Sequence, residues 1–126
     1  MVNVNVGLNT MAGKTIKNIV GVAEGSGEVT ITTTDGNSYV LYHEQDCCES
    51  VWLYDFEGDP EDLSGALIMS AEEVTGVVTD EMNEGTECPE WTFYKIETSK
   101  GGLWLRWLGD SNGYYSTSVD FKEIRV

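Results

Sequence analysis

Reactive residue types are densest in one short stretch, His43-Glu44-Gln45-Asp46-Cys47-Cys48-Glu49, which holds the sole histidine and two of the three cysteines. Three chemistries compete for it. A metal centre would draw soft ligands from His43, Cys47 or Cys48 and the distant Cys88, with Asp46 or Glu49 as a fourth, and zinc is the ion such a set suits. Against it, the chain has no C-x-x-C pair, and adjacent cysteines on extended chain point in different directions. Nucleophilic catalysis would set His43 as base toward Cys47 or Cys48, with a neighbouring acid orienting the imidazole. The acids crowding the segment work against the thiolate that such a nucleophile needs. The third reading is structural: small cysteine side chains pack a corner while His43 and Asp46 satisfy backbone groups at a turn. The residues favour this third reading, so no catalytic residue is assigned and no cofactor is expected, zinc at His43, Asp46, Cys47, Cys48 and Cys88 being the candidate.

Two further groups invite a chemical role. Asp55-Phe56-Glu57-Gly58-Asp59-Pro60-Glu61-Asp62 gathers the carboxylates that a hard cation such as calcium wants, but its glycine comes fourth, where the EF-hand loop has it sixth. A solvated acidic loop with a helix cap accounts for the same residues. Trp104 and Trp107 fall on opposite faces of a strand by alternation, so at least one is open to partial exposure unless both sheet faces are covered; an exposed Trp is a candidate contact anchor, while a core role is the default for either.

The elements that must position these residues are mostly strands. Lys14 to Glu24 is rich in Ile and Val and runs into Gly25-Ser26-Gly27, as a strand entering a turn does. Val29, Ile31 and Thr33 alternate with Thr30, Thr32 and Thr34, then meet Asp35-Gly36-Asn37 and a second run from Ser38 to His43, which predicts a hairpin. Val51 to Phe56 reads as a strand with Trp52, Tyr54 and Phe56 on one face. Asp59 as N-cap, Pro60 at the first position and Gly65 as stop predict about one helical turn. Ala66 to Ala71, Trp91 to Thr98, Leu103 to Leu108 and Tyr114 to Phe121 complete the strands. Glu72 to Glu90 is acidic and interrupted by Asn83, Gly85 and Pro89, so its second half is expected to be a mobile loop. The fold class that follows is mainly β, an antiparallel roll or partly open barrel with one short helical turn, α+β being the alternative. With 126 residues the chain is expected to form a single acidic domain, 1–126.

Charge narrows the partners. The formal net charge is −15, and its placement is uneven: no Lys or Arg falls between Lys17 and Lys95, while fifteen of the 22 acids lie from Glu44 to Glu90. The remaining seven acids balance the seven bases, so the whole net charge sits in the middle of the chain. Such a field repels phosphate backbones, which disfavours direct nucleic-acid binding, and speeds encounter with a basic surface. The bland alternative is that the acids only keep a small protein soluble. The expected interaction surface is Asp55, Glu57, Asp59, Glu61, Asp62, Glu72, Glu73, Asp80, Glu81 and Glu84. No run approaches the roughly 18 apolar residues of a membrane helix, and Met1 to Lys14 lacks the charged and apolar regions of a secretion signal. An odd cysteine count with two adjacent thiols makes a poor disulfide framework, so a reducing cytoplasm is expected.

His43-x-Gln45-Asp46-Cys47-Cys48-Glu49, followed by Gly58-Asp59-x-x-Asp62-Leu63-x-Gly65 and Ser111-Asn112-Gly113-Tyr114-Tyr115-Ser116, resembles an uncharacterised family of small proteins found largely in bacteriophages and their hosts. The resemblance runs from about Tyr39 to Phe121. It brings no activity or site residues and implies a viral accessory protein acting in a bacterial host cytoplasm. Joined to the charge map, it leads to a non-enzymatic protein whose acidic surface binds a basic host protein, in the manner of a DNA mimic. The alternative is a metal- or thiol-dependent enzyme centred on His43, Cys47 and Cys48.

Overall fold

The Thr-rich alternation after Glu28 folds as its pattern demands. In the computed structural model, which describes residues 2–4, 7–43, 49–74, 89–110 and 119–125, β3 (Glu28–Thr33) and β4 (Ser38–Tyr42) form an antiparallel hairpin. Val29, Ile31 and Thr33 point inward and are buried. The turn is held by a Gly36 N–H bond to the Thr33 carbonyl at 3.0 Å, and the Asp35 carboxylate accepts from the Asn37 N–H at 3.1 Å. Gly36 adopts φ 92°, the conformation for which this turn needs a glycine.

Among the described residues nine strands make two antiparallel sheets. The first has five strands in the order β1 (Val2–Val4), β9 (Asp120–Arg125), β4, β3, β2 (Ile16–Val20). The second has four in the order β5 (Ser50–Glu57), β8 (Gly101–Asp110), β7 (Pro89–Thr98), β6 (Ile68–Val74). Side chains of both sheets, among them Ile31, Leu41, Leu53, Ile96 and Trp107, form one buried cluster. Burying each such large apolar side chain contributes about 1.5–3 kcal/mol.

Among the described residues two seams join the sheets without closing a barrel. At the first, the Gly13 and Ile16 N–H groups donate to the Ile68 and Ala66 carbonyls at 2.8 Å, and the Gly65 and Ile68 N–H groups return to the Ile16 and Lys14 carbonyls at 2.8 Å. At the second, the Gly25 N–H donates to the Leu53 carbonyl and the Leu53 N–H to the Ser26 carbonyl, both at 2.7 Å. A mainly β, mostly antiparallel architecture without a closed barrel is therefore what the alternation predicted, its division into two sheets is what the structure adds, and the described residues hold no α-helix.

Three details differ from the sequence reading. The one helical element among the described residues is a 3-10 turn at Leu8–Met11, ahead of the position predicted. From Asp59 to Gly65 the chain instead makes successive i→i+3 turns, with Asp62, Leu63 and Ser64 N–H groups reaching the Asp59, Pro60 and Glu61 carbonyls at 3.2–3.3 Å. Asp59 still caps them, accepting from the Glu61 N–H at 3.0 Å, and Gly65 ends them at φ 84°. Secondly, the chain adds β1, paired with β9 through Val2↔Arg125. Thirdly, a bulge between Leu53 and Asp55 breaks the period of two. Phe56 thereby falls opposite Leu105, out of line with Trp52 and Tyr54. Of the loop expected in the second half of Glu72 to Glu90, the residues up to 88 lie outside the described residues, as does the Tyr114 end of the last predicted strand, whereas Pro89 and Glu90 open β7 by pairing with Asp110 and Gly109.

Candidate functional site

β4 ends at Tyr42 in the five-stranded sheet, and β5 opens at Ser50 in the four-stranded one. His43 and Glu49 stand at the two feet of this crossing. His43 Nε2 lies 3.0 Å from Glu49 Oε2, with side-chain exposures of 6% and 0%. A carboxylate this buried needs such a partner, and the contact fastens the chain where it changes sheets. Of the predicted ligand set the structure describes His43 and the alternative fourth ligand Glu49, which meet; Asp46, Cys47, Cys48 and Cys88 lie outside the described residues. The His43 Nε2 faces a side-chain carboxylate, as the reading with an acid orienting the imidazole requires.

The acidic stretch divides by environment. Asp55 lies opposite Arg106 of β8 and is gripped at both oxygens, Arg106 Nε donating to Oδ1 at 2.7 Å and Nη2 donating to Oδ2. A bidentate guanidinium pair of this kind neutralises the carboxylate, so Asp55 does not belong with the free acids of the predicted surface. Glu57, Asp59, Glu61 and Asp62 are exposed along and beyond the β5 edge of the sheet, and Glu72 and Glu73 are exposed on β6 at the opposite edge. Among the described residues none of these six takes part in an ion pair. Lys100, which approaches the Asp59–Gly65 turn, is bound to the Ser64 carbonyl at 3.0 Å. Asp80, Glu81 and Glu84 lie outside the described residues.

Between those two edges lies the outward face of the four-stranded sheet. Register places Phe93 opposite Arg106 and Lys95 opposite Trp104 on it. Arg106 sits 5.5 Å from the Tyr54 ring centre and 5.7 Å from that of Trp91, and the two rings meet edge to face at 5.2 Å. Lys95 Nζ lies 4.9 Å over the Trp104 ring and 3.1 Å from Glu97. A cleft of about 420 Å³ opens here, bordered by Asp55, Phe56, Glu57, Phe93, Trp104 and Arg106. Phe56 also borders a second cleft of about 600 Å³, where Ile19 and Val22 face Gly58, Asp59, Pro60 and Glu61. The expectation for the tryptophans holds: Trp107 is fully buried and Trp104 is 39% exposed. Arg106 and Phe93 escaped the sequence reading, although their alternation with Trp104 and Trp91 carried the signal.

The motif around the turn has a structural account. Gly58 has φ 114°, and a Cβ there would stand 2.6 Å from the Gly102 carbonyl oxygen. Asp59 caps the turn, Leu63 is buried, and Gly65 is at positive φ.

Fold and surface together define a two-sheet antiparallel β protein with an aromatic outer face between acidic edges. Residues 9–121 match the family described as Domain of unknown function (DUF7448), and the chain belongs to that family. Neither the curated proteins nor the solved structures give a match. No helix among the described residues is long and apolar enough to cross a membrane.

Proposed function

We propose that this is a non-enzymatic bacteriophage accessory protein of the host cytoplasm, whose acidic surface engages a basic host protein in the manner of a nucleic-acid mimic. The observation that carries this reading is the exposure of Glu57, Asp59, Glu61, Asp62, Glu72 and Glu73 without an ion pair among the described residues. Carboxylates left uncompensated along two edges attract a basic surface and, set where phosphates would lie, compete with nucleic acid for it. The test is affinity capture from a bacterial lysate, followed by competition of the captured protein against duplex DNA. A basic protein should be retained at about 0.15 M salt, released by about 0.5 M, and displaced from DNA by the chain. The triple variant Asp59→Asn, Glu61→Gln, Asp62→Asn should lose most of that retention while keeping its Tm. Retention indifferent to both salt and the triple variant would remove the charge mechanism.

A second reading, a metal- or thiol-dependent enzyme centred on His43, Cys47 and Cys48, draws on the His43–Glu49 contact, which orients an imidazole as such centres require. It predicts stoichiometric zinc or a fast-alkylating thiol in the purified chain, and the absence of both would end it.

A further inference from the structure

We infer that the cleft bordered by Glu57, Phe56 and Trp104 receives an arginine or lysine side chain from an extended basic segment of the partner. The inference deepens the interaction reading above and rests on it.

The face already shows how it treats cations. Arg106 stands over Tyr54 and Trp91, and Lys95 stands over Trp104, at distances where a ring quadrupole attracts positive charge. Each of these two cations is held by a carboxylate, Asp55 for Arg106 and Glu97 for Lys95. With those charges matched, Glu57 remains as the carboxylate of the cleft, exposed and without an ion pair among the described residues. Trp104, 39% exposed and directly opposite Glu57, leaves apolar surface beside it. A guanidinium or ammonium on a methylene stem meets both needs, the stem lying beside the Trp104 ring and the head reaching Glu57.

The neighbouring cleft extends the same chemistry. In this cleft Ile19 and Val22 offer apolar surface and Asp59 and Glu61 offer carboxylates, so a second basic side chain of the same segment finds a place there. A phosphate-bearing strand is the poorer occupant, because Asp55 already holds the Arg106 guanidinium of the first cleft and the remaining charge there is negative.

The test follows the indole N–H signals of the ¹⁵N-labelled full chain at low salt, with the Trp104 signal assigned by its loss in Trp104→Phe. An alternating Arg-Gly decapeptide should shift the Trp104 signal saturably. The same peptide with citrulline for arginine, equal in shape but uncharged, should bind roughly tenfold more weakly, and Glu57→Gln should weaken the Arg-Gly peptide in the same direction. Shifts confined to the Asp59–Asp62 amides, with Trp104 unmoved, would overturn the cleft while sparing the acidic-surface reading. No response to the peptide anywhere would remove both. A stronger Trp104 response to oligo-dT than to the peptide, or a shift on raising protein concentration alone, would assign the face to nucleic acid or to a second copy and overturn the inference.

Discussion

On the five-stranded sheet, two carboxylates are spent on the fold: Lys14 Nζ is 2.5 Å from Asp35, and Arg125 grips Glu123, whose carboxyl is held below the ordinary range first by the neighbouring Tyr39 hydroxyl and then by Arg125. Along the edges of the four-stranded sheet, Glu57, Asp59, Glu61, Asp62, Glu72 and Glu73 face solvent, and the cations of that sheet stand over aromatic rings on its outward face. The same residue type therefore has two uses in one small chain. Paired acids pin a turn or a strand end; unpaired ones build a field that only something outside the fold can neutralise.

The largest effect that would sharpen this contrast separates the two tryptophans of β8. Trp107→Ala empties a fully buried site and should cost about 3–5 kcal/mol, whereas Trp104→Ala on the outward face should cost about 1 kcal/mol or less. Equal losses in denaturant melts would mean that the outer face is a second core. Next comes Gly58→Ala, which combines positive φ with a clash against the Gly102 carbonyl and should cost about 1–3 kcal/mol, loosening the acidic turn from the sheet. A melt unchanged from the parent would show that the turn tolerates a side chain there.

The smallest effect concerns the paired acids. The Asp35 carboxyl is held down to about 2, first by the Lys14 hydrogen bond and then by the Thr33 hydroxyl. Its folded value lies below the unfolded one of about 3.9, so the pair stabilises above that pH, and the contribution fades as pH falls toward 2. Asp35→Asn should therefore lower Tm slightly at pH 7, flatten the fall of Tm between about pH 4 and 2, and change nothing below. Because both partners are about one-third exposed, solvent screens the pair and the shift is modest. Identical Tm profiles for the two proteins would show that the contact contributes nothing.

Most strands were legible because one face of each is buried, and burial of alternate residues writes itself into the sequence, as in Val29, Ile31 and Thr33. The bulge at Leu53 and Asp55 was not, since it is a backbone register event that leaves side-chain types unchanged. β1 escaped because Val2-Asn3-Val4 is too short to declare itself without its partner β9. The aromatic face was legible only in fragments: Trp104 was singled out, but Tyr54, Trp91 and Arg106 come from three strands, and only sheet order brings them together. Of the His43 box, the sequence suggested an acid beside the imidazole without saying that it would be Glu49.

The place of β9 between β1 and β4 sets an order on how the chain can assemble as it leaves the ribosome. β2, β3 and β4 pair with near neighbours and can zip as they emerge. The open edge of β4 and the whole of β1 must wait for Asp120–Arg125, so the five-stranded sheet is completed after the strands of the four-stranded sheet have been synthesised. Until then β4 presents an unpaired edge, the feature through which a nascent β protein pairs with the wrong chain.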